Sequence, residues 1–164
     1  MKIAIIAIIV CLAVVVWLAL QRRIRIATNC PVTSSDNPEI LSQLERSGKN
    51  GNFAVLIFVP PGSTDGEAVN LQYSIEGGAV GLDWVLIGPR NEADREKVSE
   101  FAARLGSRLE EHDMNRVRYL RVTGSGIGNL GAKIITDFYH ISADTKLDIV
   151  TEGFKWQPVL RAAA

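Results

Sequence analysis

The chain has 164 residues, 47% of them hydrophobic, and its 18 basic and 18 acidic side chains balance to zero formal charge. The balance is uneven along the chain, because residues 1–25 hold four basic groups and no acidic one, which leaves 14 basic and 18 acidic groups in residues 26–164. That acidic remainder lacks the basic surface that binding to a phosphate backbone requires, so we exclude nucleic acid as the main partner.

The first feature in chain order is an uninterrupted apolar run, Ile3–Leu20, which is followed by Arg22, Arg23 and Arg25. A helix of this length spans about 27 Å, close to the roughly 30 Å hydrocarbon core of a bilayer. We therefore predict that residues 1–25 form a single transmembrane anchor with a basic flank, which places one end of the protein in a lipid bilayer.

A cleaved signal peptide is the alternative for this segment. Such peptides have apolar regions of roughly 7–15 residues that end in small residues before the cleavage site. Here the run is longer and ends in the bulky Leu20, which favours an anchor that stays attached.

The charged residues around the span predict its orientation. Three arginines follow it and only Lys2 precedes it, so the positive-inside rule predicts that the domain lies in the cytoplasm. We expect the membrane to be the inner membrane of a bacterium. The two cysteines are Cys11 and Cys30, so residues 31–164 hold none, as suits a reducing compartment. A periplasmic domain is the alternative.

Composition also predicts the domain boundaries. Residues 26–37 are polar and interrupted by Pro31, which predicts a short linker. Residues 38–160 follow as one soluble domain, long enough for a hydrophobic core of its own, and residues 161–164 form a tail.

The domain opens with a predicted helix and three predicted strands. Pro38 suits a first helical position, and Gly48 predicts the end of that helix. Phe53–Val59 is a continuous apolar run, which is typical of a strand buried on both faces. Alternation from Val69 to Ile75 predicts a strand with one wet face, and Gly77-Gly78 predicts a tight hairpin leading into a return strand up to Ile87.

Apolar residues at intervals of three and four then predict an amphipathic helix of about twenty residues, from a cap at Asn91 to Leu109. A strand at Val117–Val122, a helix at Ile127–Tyr139 and a short strand at Leu147–Val150 complete the domain. The order is α-β-β-β-α-β-α-β. It predicts an α+β domain with a mixed sheet, in which two β-α-β crossovers follow an antiparallel meander.

This order of elements is similar to the central part of the N-acetyltransferase fold. That family holds the pyrophosphate of coenzyme A with an Arg/Gln-x-x-Gly-x-Gly/Ala loop, and the corresponding segment here is Gly88–Ala93. Arg90 is not followed by glycines, and Pro89 lacks a backbone donor, so the resemblance covers topology alone.

The glycine-rich segment Thr123–Gly131 matches a known ligand-binding pattern. Gly126, Gly128 and Gly131 fit G-x-G-x-x-G between a predicted strand and a predicted helix, as in dinucleotide-binding loops. Free amides at the start of a helix attract phosphate. The alternative is a flexible turn whose helix packs on the core, since a dinucleotide-binding domain would build its parallel sheet after this unit.

No metal site is expected. The two histidines, His112 and His140, fall at predicted helix ends, where interaction with the helix dipole accounts for them. The acidic cluster Glu110–Asp113 has suitable ligands, but consecutive helical positions point about 100° apart and cannot converge on one ion.

Two further groups are candidates for binding a partner. Arg116 and Arg118 are predicted on one face of their strand and Arg121 on the other, and pairing with carboxylates such as Asp83 or Asp148 is the structural alternative. Phe154 and Trp156 follow the last strand. They are predicted either to seal the edge of the core or to anchor a partner.

These features predict a membrane-anchored, non-catalytic module that binds or regulates another protein, with no cofactor. An immunity-type inhibitor of a toxin is the most concrete form, because a small acidic domain complements a basic toxin. The alternative is a membrane-tethered enzyme that binds a nucleotide or coenzyme phosphate at Thr123–Gly131.

Overall fold

Glycine turns and apolar periodicity divide residues 24–158, the part of the chain that the computed structural model describes, into seven strands and four α-helices. The strands are β1 Ile24–Val32, β2 Phe53–Phe58, β3 Val69–Glu76, β4 Ala79–Val85, β5 Glu110–Met114, β6 Val117–Thr123 and β7 Leu147–Glu152. The helices are α1 Asn37–Ser47, α2 Pro89–Ala93, α3 Arg95–Arg104 and α4 Ile127–Lys133, and α4 continues into a π-helical turn at Ile134–Phe138.

The strands form one antiparallel sheet. In this sheet, the six strands β2 to β7 lie in the order β7-β2-β3-β4-β6-β5. Strand β1 pairs with β7 and forms the edge on that side. Every neighbouring pair is antiparallel. The predicted α+β class is therefore confirmed.

The predicted mixed sheet is wrong for two reasons: a strand before β6 was missed, and β7 lies between β1 and β2 and not next to β6. The chain turns back after α3 to form β5, Glu110–Met114, which includes His112, a residue predicted at a helix end. A tight turn at Asn115-Arg116, where both residues have positive φ (54° and 68°), then leads into β6. The extra strand reverses the direction of β6, which therefore pairs antiparallel with β4. The element order behind the N-acetyltransferase resemblance is thus absent from residues 24–158.

The predicted long helix is also wrong in its bounds. Pro89 starts α2 two residues before the expected cap, and Asp94, with ψ near 4°, separates α2 from α3. Asn91 is fully buried inside α2 and is not a cap. Its amide bridges to the backbone N–H and C=O of Asn70 in β3, with distances of 3.1 and 2.8 Å.

Several local predictions are confirmed. Helix α1 starts next to Pro38 and ends at Gly48, which adopts φ 65° and donates its N–H to Leu44. Gly77 and Gly78, both with positive φ, form the turn between β3 and β4. The helix expected after the glycine-rich segment begins at Ile127, as predicted.

The segment predicted as a linker, residues 26–37, contains most of β1 and a 3-10 turn at Ser34–Asp36. The sheet therefore begins before residue 38. Within residues 24–158, no helix has both the length and the hydrophobicity to cross a bilayer. The predicted anchor, Ile3–Leu20, lies outside the described residues, as does the tail 161–164.

The core lies between the sheet and the helices. Alternate residues of each central strand point toward α1, α3 and α4, and they are fully or nearly fully buried, as Leu56, Leu71, Leu82 and Trp84 illustrate. The described helices pack on this one face. The other face of the sheet is therefore left without a helical layer.

Candidate functional site

The uncovered side of the sheet, called the open face here, combines apolar and polar side chains. In β2 the core-facing residues alternate with half-buried Phe53, Val55 and Ile57, which lie on the open face. The run Phe53–Val59 is thus buried on one side only. Because no second layer covers this face of the sheet, its apolar side chains form a surface that a ligand or partner can cover.

A cavity of about 510 Å³ lies on the open face between β2 and the β5–β6 hairpin, and we call it the open-face groove. Its apolar walls are Phe53, Val85, Ile87, Met114, Val117 and the ring of Tyr119. Ile87 is 53% exposed and Met114 is 46% exposed. Its polar side chains include Gln72, Ser74, Glu76 and Asp83. Such a mixture of apolar walls and a few polar groups is usual in ligand sites.

A buried ion pair lies next to this groove. Arg121 in β6 lies directly across from Asp83 in β4, and the guanidinium Nη1 donates to Asp83 Oδ1. Nη1 also donates to Ser74 Oγ at 2.9 Å, and Nη2 donates to the carbonyls of Ser74 and Ala79 at 3.3 and 3.1 Å. Asp83 in turn accepts hydrogen bonds from Ser74 Oγ and, at 3.4 Å, from Gln72 Nε2. Asp83 is thus paired with Arg121, and not with Arg116 or Arg118, the two arginines proposed as partner-binding residues.

Gly81 provides the room for this arrangement. A Cβ atom at Gly81 would overlap with Cζ, Nε and Nη2 of Arg121. The guanidinium therefore packs against bare backbone in β4, and a side chain at position 81 would require it to move.

A second group of titratable side chains lies next to this ion pair. Tyr119 donates its hydroxyl to Glu76 Oε2 at 3.0 Å, and Arg121 Nε lies 3.5 Å from the same oxygen. The ring of His112, opposite Tyr119 in the β5–β6 pairing, stacks on the tyrosine with 5.5 Å between centroids. One guanidinium thus serves two carboxyl groups.

Burial dominates the pKa values in this cluster. Desolvation raises the pKa of Asp83 above its usual range, although Ser74, Arg121 and Gln72 oppose the shift by stabilising the carboxylate. Burial and the hydrogen bond to Glu76 raise the pKa of Tyr119 to about 12. The phenol is therefore neutral at physiological pH and acts as a hydrogen-bond donor.

The glycine-rich segment has a different environment from the open face. Gly126 has φ 87° and precedes α4, a helix of seven residues. Gly128 faces α1, where an added Cβ would come within 2.8 Å of Leu41 Cδ1. At Gly131 an added Cβ would overlap with the hydroxyl of Tyr73. Close packing between α4, α1 and β3 thus explains two of the three glycines in the pattern.

The residues predicted for partner binding lie in three separate places. Arg116 is exposed in the β5–β6 turn and lies outside the strand. Arg118 faces away from Arg121, as expected, and pairs with Glu92 at 2.9 Å and Glu111 at 3.8 Å. It therefore links β6 to α2 and β5.

The aromatic residues after β7 complete the core. Trp156 is 6% exposed and belongs to the buried cluster, and Phe154 packs against it. Gln157 exchanges hydrogen bonds with the side chain of Gln43 in α1, at 2.7 and 3.1 Å. The structure therefore matches the alternative in which these aromatic residues seal an edge of the core.

The acidic cluster Glu110–Asp113 lies in a strand, where successive side chains point to opposite faces. Among residues 24–158, no three histidine, cysteine or acidic side chains are grouped so that they could hold a metal ion.

Sequence reasoning did not find the groove, although one signal was present. Phe53–Val59 is apolar at every position, yet the sheet has no second layer to cover the residues that point away from the core. Once the sheet order is known, that run identifies an uncovered apolar surface. Comparisons with protein families, with curated proteins and with solved structures found no match to this chain.

Proposed function

We propose that this protein is a membrane-anchored, non-catalytic module that binds another protein through the open-face groove. The observation that carries the proposal is the concave, largely apolar cavity on a sheet face that the described helices leave uncovered. Protein surfaces that recognise a partner combine such an apolar centre with polar groups around it.

The polar groups beside the groove support binding rather than chemistry. Ser74 Oγ donates its proton to Asp83, and Asp83 is paired with Arg121. A serine nucleophile needs a neighbouring base that can accept its proton, and a carboxylate already held by a guanidinium is a poor base. The network is better suited to fixing the shape of the open face.

The tether is inferred from the sequence. Ile24, the first residue of β1, follows Leu20 by four positions, a distance of at most about 14 Å for an extended chain. An anchor at Ile3–Leu20 would therefore hold the sheet close to the membrane surface. An acidic module in this position fits an immunity-type inhibitor, because it would attract a basic toxin.

Site-specific photo-crosslinking in the native host tests the proposal. A photoreactive amino acid replaces Ile87 in the groove or, as a matched control, Leu105, which is 40% exposed at the end of α3 on the helical side. We expect one discrete protein adduct from position 87 and none from position 105. The adduct should also disappear when Met114→Lys places a charge in the groove.

Equal adducts from both positions, or no adduct from position 87, would contradict the proposed function. The exposed location of both side chains makes misfolding of the labelled variants a minor concern, which a thermal unfolding curve checks directly.

A further inference from the structure

We propose that the open-face groove binds the basic juxtamembrane segment of a second membrane protein. This inference rests on the proposed function and adds the chemistry and location of the partner. The register of the sheet, the charge of the groove and the short chain between β1 and the predicted anchor all support this partner.

The register places one end of the groove at the end of the sheet nearest the predicted anchor. Ile24 pairs with Glu152 in β7, and Glu152 pairs with Phe53 in β2. Phe53 pairs with Ser74 in β3, so Ile24, Phe53 and Ser74 lie in one row across the sheet. Phe53 and Ser74 both line the groove.

The chain leads from that row back to Leu20 through three intervening residues. Because an extended chain covers at most about 3.6 Å per residue, Ile24 lies within roughly 14 Å of the end of the predicted apolar run, and Phe53, two strands further along the row, adds about 10 Å. A partner segment that enters the groove from this end is one that itself runs close to the membrane.

The described residues that line this end of the groove include a carboxylate and no lysine or arginine. Glu76 is next to the Gly77 turn and lines the groove, with its side chain 34% exposed. Its Oε2 accepts from Tyr119, whereas Oε1 accepts no hydrogen bond from the residues that the structure describes. Asp83 lines the groove as well, and Arg121 is shared between the two carboxylates. A cation is therefore the complementary group near Glu76.

The opposite end of the groove is apolar. Val85, Ile87, Met114 and Val117 lie there, beyond the polar network. The complementary ligand is a segment that places Lys or Arg near Glu76 and apolar side chains along the rest of the groove.

Segments with this composition are concentrated beside membrane spans. The positive-inside rule places Lys and Arg immediately next to apolar spans on the cytoplasmic side, which is also the side predicted for this domain. Residues 24–158 carry 14 basic and 18 acidic groups, an acidic excess that complements the charge of such a segment.

The test uses the full chain in nanodiscs of zwitterionic phosphatidylcholine, so that a basic peptide does not bind the lipid. The probe is a fluorescent, capped Leu-Val-Leu-Arg-Lys-Arg peptide, and the matched probe has Glu in place of each basic residue. Fluorescence polarisation should show saturable binding of the basic peptide alone, weakening as salt is raised.

Glu76→Gln should weaken binding of the basic peptide by roughly three- to tenfold, the range for one partly buried ion pair. Gln retains an acceptor for Tyr119, so the groove keeps its shape. Glu100→Gln, at an exposed position on α3, removes the same charge from the helical side and should leave the affinity unchanged. Ile87→Lys should also weaken binding by placing a like charge at the apolar end.

Three results would overturn the inference: absence of binding, equal binding of both peptides, or an equal effect of Glu76→Gln and Glu100→Gln. The crosslinked adduct from position 87 distinguishes failure of this inference from failure of the proposed function. An adduct that maps to a partner segment far from any membrane span, or to lipid, refutes the juxtamembrane segment. A protein adduct of either kind leaves the binding module in place.

Discussion

At the scale of single residues, Gly81 and Arg121 depend on each other. The guanidinium occupies the volume that a side chain at position 81 would need, and it satisfies two backbone carbonyls, Asp83 and Ser74 Oγ at once. A buried ion pair of this kind stabilises the fold only while all its partners are present, because an unpaired charge remains desolvated. The geometry of the open face thus depends on a residue that has no side chain.

We expect Gly81→Ala to lower the free energy of unfolding by about 1–3 kcal/mol, as overpacking at buried sites does. Gly66→Ala is the matched control, because an added Cβ there meets only Thr64 Oγ1 at 3.9 Å and the backbone φ is not positive. Urea denaturation followed by tryptophan fluorescence measures both. Equal stability of the two variants would contradict the packing of Arg121 on Gly81.

At the scale of elements, α4 is held by close contact with α1 and β3. Gly131 lies next to the hydrogen bond that the Tyr73 hydroxyl donates to Asn37 Oδ1. The Asn37 amide in turn donates to the carbonyl of Ser34 at 2.6 Å. Burial raises the pKa of Tyr73, so the hydroxyl keeps its proton and remains a donor. The glycine pattern that resembles a dinucleotide loop therefore includes positions that the packing of a helix requires.

Gly131→Ala distinguishes this packing role from simple helix propensity. In a solvent-exposed helix the change would stabilise by about 1 kcal/mol. Here we expect a net loss of about 1–3 kcal/mol, since the Cβ would overlap with a fully buried hydroxyl. Thermal and urea unfolding provide the measurement.

Two further variants serve as controls for Gly131→Ala. Asn129→Ala lies on the exposed side of the same helix and should change stability by less than about 0.5 kcal/mol. Adding Tyr73→Phe to Gly131→Ala removes the overlapping hydroxyl, so the double variant should lose less than the sum of the two single losses. A stabilised Gly131→Ala protein would show that the close contact does not exist.

At the scale of the whole molecule, the sheet separates a helix-covered core from an open face, and the three tyrosines of the chain are divided between them. Tyr73 and Tyr139 lie in the core, and Tyr119 lies beside the open-face groove. Burial is the largest cause of a raised pKa for all three. Each tyrosine of the folded protein therefore keeps its proton at pH values above the ordinary pKa of a tyrosine.

This difference predicts how stability depends on alkaline pH. Between pH 10 and about 12, an unfolded chain releases tyrosine protons while the folded chain retains them, so the free energy of unfolding must fall as pH rises through this range. Near-ultraviolet absorbance of tyrosinate should show no step near pH 10 for the folded protein. The same protein in concentrated guanidinium chloride should show a full step there, and a folded-state step near pH 10 would refute the prediction.

Features that depend on residues close together in the chain could be predicted from the sequence. The limits of α1, the Gly77-Gly78 hairpin and the start of α4 follow from glycine conformations, a proline at a helix start and apolar periodicity, all of which act over a few residues. The excess of acidic groups in residues 26–164 could also be counted directly. These predictions need no knowledge of which elements meet.

The sheet order, and with it the candidate site, depends on contacts between distant parts of the chain. Glu110–Met114 carries four charged or titratable residues out of five, and it becomes a strand because β6 offers an edge to pair with. That pairing reverses β6, places Arg121 opposite Asp83 and forms one wall of the groove. Local propensity cannot encode such a result, because the stabilising partners of each residue lie far away in the chain and are brought together only by folding.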